Sequence, residues 1–248
     1  MSFSLWDILL MIIVPTMVVI MAYVYDPRLK ALILSFPLPF TISYLSLGQR
    51  VNVTHVYGLL LLLGFTHLVR ILHRKLSIHI ILSIVISALL YTLFGSVIAA
   101  YLPKSEALFW PSCALLMGLS VVILAVQKAP AESGMRTTMP VILKASLTLS
   151  LVFVILVLKQ SLQGFMTLFP MVGVFGAYEG RLSMGTNCRQ IPKLILSMVP
   201  MFVVLRLIEP VWGKGPALIF GWLVFIPIMG MFMKSSWKKK PDIPYRVY

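Results

Sequence analysis

Between Lys75 and Lys104 the chain carries no aspartate, glutamate, lysine or arginine, and aliphatic and aromatic side chains fill most of the 28 positions between them. A run of that length exceeds the roughly 20 residues a helix needs to cross the ~30 Å hydrocarbon core of a bilayer. In lipid every backbone polar group has to be satisfied within the protein, so such a segment is a helix or a strand of a closed barrel. The barrel is excluded by pattern, because the apolar residues run on without the alternation a barrel strand requires. Several other runs approach or exceed the same length. Composition agrees: 60% of the 248 residues are hydrophobic and 11% charged, where a soluble domain is about half apolar and a quarter charged. The expected fold class is all-α, a polytopic membrane helix bundle.

Nine spans are expected, at about 6–25, 31–48, 56–72, 77–101, 106–126, 141–158, 161–180, 193–209 and 216–234. The stretch from Gln127 to Pro140, with Pro130 and Gly134, divides the chain. The organisation expected is a first four-helix repeat (1–104), a linker helix and cytoplasmic loop (105–140), a second four-helix repeat (141–234) and a basic cytoplasmic tail (235–248). The residues before Asp7 include no lysine or arginine, so the first apolar run lacks the basic start of a secretory signal and is kept as a helix.

The formal charge is +14. No basic face interleaved with aromatics accompanies it, which argues against nucleic acid as a partner. The charge lies between spans. One alternate set of connections, with the tail, holds fourteen of the 21 lysines and arginines, and the other set holds only Arg50, Lys104, Lys159 and Lys214. Cytoplasmic loops carry the excess of positive charge, and they meet anionic lipid headgroups there. The N-terminus is therefore expected outside and the C-terminus in the cytoplasm.

A motif occurs twice. Leu29-Lys30-Ala31-Leu32-Ile33-Leu34-Ser35-Phe36-Pro37 is answered 133 residues later by Leu162-Gln163-Gly164-Phe165-Met166-Thr167-Leu168-Phe169-Pro170. Tyr44 answers Tyr178, and Gly48 answers Gly180, within a residue or two. A proline inside a helix deletes a backbone hydrogen bond and clashes with the preceding turn, so each copy predicts a broken helix. With the expected topology the copies run in opposite directions. Two inverted four-helix repeats joined by a fifth crossing follow, and in transporters built that way the site lies near the midplane at the broken helices.

The candidate substrate-binding residues are Phe36, Pro37, Phe40, Tyr44, Phe169, Pro170, Phe175 and Tyr178. Glu179 and His67 are the candidate proton carriers, since an ionisable group within a span is a functional hypothesis by default. The alternative for Glu179 is a hydrated helix end paired with Arg181 or Arg189, and for His67 a satisfied histidine between helices. Arg70 and Arg206, late in spans 3 and 8, either snorkel to opposite interfaces or attract anions at the two mouths. Thr41, Ser43, Asn52, Thr54, Gln163, Thr167, Thr186 and Asn187 either line a path or re-satisfy broken backbone. Cys113 and Cys188 match no zinc spacing and read as packing residues. No HExxH, P-loop, GxSxG or paired aspartates are present, and only seven acidic residues exist. Neither an enzyme nor a cofactor or metal is expected.

At Leu168, Phe169, Pro170 and Tyr178, followed by Pro200 in the next span, the chain resembles the GlpM-like family of small bacterial inner-membrane proteins, and Phe36, Pro37 and Tyr44 carry a shorter match. The resemblance covers about 50 residues per half. It implies two such four-span units fused through span 5 and brings no defined activity. The four-plus-one-plus-four layout also resembles fused fluoride exporters and small multidrug exporters, without the signature residues of either. The function expected is a transporter or channel-like permease for a small or amphipathic solute, anionic ones included. The alternative is a non-transporting scaffold or subunit of a larger membrane complex. A homo-oligomer or a membrane partner subunit is compatible with both.

Overall fold

The computed structural model describes residues 3–102, 106–127, 132, 135–237 and 246–247. Residues 128–131 and 133–134 of the expected linker loop, and 238–245 and 248 of the expected basic tail, lie outside those residues. The described elements are helical apart from a two-residue parallel pairing of Met135–Arg136 with Arg246–Val247.

In chain order the helices are α1 (Leu5–Tyr23), α2 (Pro27–Ser35), α3 (Leu38–Leu47), α4 (Val53–Arg70), α5 (Ile80–Tyr101), α6 (Glu106–Val126), α7 (Val141–Val157), α8 (Lys159–Leu162), α9 (Gly164–Thr167), α10 (Met171–Glu179), α11 (Met184–Trp212) and α12 (Lys214–Trp237). A π-helical turn, Ile71–Lys75, extends α4. Seven stretches are long and apolar enough to cross a membrane: α1, α2 with α3, α4 with its π turn, α5, most of α6, α11, and most of α12. The expected span at 141–158 is α7, an apolar helix of 17 residues. The expected span at 161–180 is not one helix but three short ones, α8, α9 and α10.

Local sequence explains where helices begin. Ser4 and Asp7 form a reciprocal capping box at α1. Asp26 accepts from the Arg28 amide at 2.7 Å with Pro27 in the first turn of α2. Asn52 accepts from the Thr54 amide at 3.0 Å to open α4.

Two apolar clusters form the interior. One joins α1, α5, α7, α9 and α10, and the other joins α3, α4, α6, α11 and α12. Helix α1 lies along α7 and touches α3 and α10. Helix α6 packs against both α4 and α11, which also touch each other. The outer surface is apolar too. On α5, Leu82, Val85, Leu89, Leu93 and Val97 recur at helical spacing and are all exposed. A continuous exposed apolar stripe of this kind suits lipid rather than water.

Candidate functional site at the two helix breaks

The two Phe-Pro sequences break their helices in the same way. Phe36 is extended (φ −75°, ψ 119°), the conformation a following proline favours. Its amide donates to the Ile33 carbonyl at 3.3 Å, and the Thr41 amide donates to the Pro37 carbonyl at 3.0 Å. In the second copy the Phe169 amide donates to Met166 at 3.2 Å and the Val174 amide to Pro170 at 2.8 Å. Each of these bonds joins positions 133 apart in the two copies. The second break is tighter. The Met171 amide reaches the Phe169 carbonyl at 2.7 Å around Pro170 (φ −73°, ψ 56°), an inverse γ-turn.

Both breaks face one cavity, which holds about 100 Å³ of space for water-sized molecules. Phe36, Pro37 and Phe40 line it from one copy, and Phe169 and Pro170 from the other. Helix α4 contributes Leu62, Phe65, Thr66 and Val69, spaced so that they share one face. Helix α11 contributes Asn187, Gln190, Ile191, Leu194 and Met198 by the same rule. No charged side chain is among the described residues that line it.

Three of the expected binding residues stand elsewhere. Tyr44 is fully buried, and its hydroxyl donates to the Glu209 carboxylate at 2.5 Å. Phe175 belongs to the α1 side of the core, and Tyr178 packs beside it under the Arg181 guanidinium. Of the polar candidates, Thr167 and Asn187 reach the cavity. His67 is apart from it, with Nδ1 at 3.0 Å from the Leu63 carbonyl and Nε2 at 3.0 Å from the Gln127 side-chain nitrogen.

Glu179 is buried, and its partners are neither Arg181 nor Arg189. Lys144 on α7 lies 2.5 Å from one carboxylate oxygen and Lys30 on α2 lies 3.2 Å from the other. Thr137 donates to the same carboxylate. Distance along the chain hid these partners, since Lys30 is 149 residues from Glu179. A second buried carboxylate, Asp7, takes Lys159 at 2.8 Å and the Ser46 hydroxyl. The first cluster joins the starts of α2 and α7 to the end of α10. The second joins the start of α1 to the end of α3 and the first residue of α8. Arg206 donates to the Val51 carbonyl at 2.5 Å and lies over the Phe109 ring, so this guanidinium is held within the protein.

Tyr91 on α5 was not among the expected residues. Its hydroxyl donates to the Phe165 carbonyl at 2.9 Å, and its ring meets Phe169 edge-on at 5.3 Å, so it buttresses the second break from behind. Gly164 is pressed against Thr54 and His55, where an added Cβ has no room. Among the described residues no group of three His, Cys, Asp or Glu side chains could hold a metal ion. Comparisons of the chain with protein-family models, curated proteins and solved structures return no match.

Proposed function

We propose that the chain is a membrane transporter or channel-like permease for a small or amphipathic solute, with its site between the two Phe-Pro breaks. The observation that carries this is the shared cavity: both breaks, 133 residues apart in sequence, line one space inside the apolar body. Irregular backbone at membrane depth is tolerated where it is buried in protein or faces a water-filled space. Discontinuous helices meeting at a site are a recurrent plan of secondary transporters.

In this reading the protein crosses a bacterial inner membrane nine times, with α7 and the α8–α10 segment as the sixth and seventh crossings. The halves are inverted repeats of GlpM-like type. The matched bonds around Pro37 and Pro170, and the contact of α6 with both α4 and α11, support it. The two charge clusters act as latches at opposite ends: Lys30–Glu179–Lys144 at the cytoplasmic end, and Asp7–Lys159 with Ser46 at the outer end. Each ties the far end of a broken helix to α1 or α7, and opening one while the other holds gives alternating access. Glu179 is then a gate whose release a proton can assist, since protonation removes the charge both lysines need.

A non-transporting subunit is the competing reading, and the saturation of Glu179 by three partners favours it. Flux in proteoliposomes decides between them. The transporter reading expects substrate-dependent flux that Pro170→Ala and Glu179→Gln each reduce in folded protein. Stoichiometric co-purification with partner subunits and no flux supports the alternative.

A further inference from the structure

Two side-chain amides stand together on the cavity wall. Asn187 and Gln190 are one helical turn apart on α11, near its start, and both line the space. Asn187 is 7% exposed, and among the described residues its Oδ1 has no hydrogen-bond partner. A buried acceptor left unpaired costs about 1–3 kcal/mol, so native structures rarely keep one without a ligand or water for it. The Gln190 side-chain amide donates to the Met229 sulfur at 3.7 Å, a weak acceptor. One and two turns beyond Gln190 the lining becomes Leu194 and Met198.

The charge of the occupant can be decided by magnitude. Helices α3 and α10, of ten and nine residues, begin at Pro37 and Pro170 on the cavity wall. Pro39 has no amide and the Met171 amide is taken by the Phe169 carbonyl, and a helix N-terminus favours an anion by about 0.3–1 kcal/mol, at most ~2. Removing an ion from water costs several kcal/mol, and no cationic side chain is among the described residues lining the cavity. Two helix ends do not offset that cost. They also oppose a cation. An uncharged ligand escapes the penalty, and one that both donates and accepts pairs with the Asn187 oxygen and the Gln190 side-chain amide together.

Resting on the site assigned under the proposed function, we infer that the cavity binds an uncharged amphiphile: an aliphatic or aromatic body carrying one hydroxyl or carboxamide group. The head lies at Asn187 and Gln190, and the body lies against Phe40, Phe169 and Met198.

The test is photolabelling of the full chain in lipid nanodiscs. The probes are a medium-chain aliphatic diazirine alcohol and its sulfonate and ammonium analogues of equal length, with modified residues mapped by mass spectrometry. The alcohol is expected to label the segments around Phe36–Phe40 and Phe169–Gly173 at least roughly five-fold more than either ion, a ratio equivalent to ~1 kcal/mol that the ion's desolvation exceeds. Asn187→Ala is expected to remove about that factor. Equal or stronger labelling by an ionic probe overturns the inference and leaves the site in place. Absence of labelling by all three probes at these segments overturns the site as well. The comparison on the unmodified chain stands without any variant.

Discussion

The Lys144 ammonium lies 2.5 Å from the Glu179 carboxylate, with Lys30 on the other oxygen at 3.2 Å, and all three side chains are shielded from solvent. Two cations share one anion, so the three positions are not equivalent. Glu179→Gln leaves two buried ammonium groups without the carboxylate between them. Removing one partner of a buried pair costs about 3–5 kcal/mol. Lys144→Met leaves a one-to-one pair and is expected to cost clearly less. Unfolding of the purified variants measures both, and an equal loss for the two refutes the shared-carboxylate arrangement.

Gly164 begins α9 where it meets the start of α4. An added Cβ there would lie 2.6 Å from His55 Nδ1 and 2.8 Å from the His55 backbone nitrogen, which cannot swing away. Gly164→Ala is expected to destabilise by about 1–3 kcal/mol through overpacking. Gly118→Ala, in α6 with nothing within 4 Å, is the matched control and is expected to be neutral or stabilising by up to about 1 kcal/mol. Thermal unfolding of the pair reads the difference.

Tyr44 holds Glu209 and stands off the cavity wall. Tyr44→Phe strips the buried carboxylate of this donor and is expected to cost about 1–3 kcal/mol. Labelling of the cavity by the diazirine alcohol is expected to stay unchanged. A variant as stable as the parent that loses labelling returns Tyr44 to the site.

The lysine and arginine asymmetry predicts a sidedness that labelling can test. Cys113 and Cys188 are buried, so introduced cysteines report their own position. With an impermeant maleimide on intact cells, Gly215→Cys between α11 and α12 is expected to react and Ser77→Cys between α4 and α5 is not. The reverse pattern inverts the orientation.

Chain length and polarity by themselves determined that this protein is a bundle of apolar helices, because lipid leaves a long uncharged segment no other way to satisfy its backbone. The two Phe-Pro breaks were legible for an equally local reason: proline has no amide to give, and the residue before it avoids the helical conformation. Their convergence on one cavity was expected from repetition, and Phe36, Pro37, Phe40, Phe169 and Pro170 all line one space. What the sequence could not specify was direction around each helix and partners far along the chain. Tyr44, Phe175 and Tyr178 share the broken helices with the cavity residues but point to other neighbours, since a helix turns about 100° per residue and only packing selects the face. The single span expected at 161–180 became three short helices, because Gln163 at φ +49° and Pro170 each interrupt the hydrogen-bond ladder. The partners of Glu179 were decided only when α2, α7 and α10 came together, for a buried carboxylate takes the cations that tertiary packing brings within reach, not those nearest in sequence.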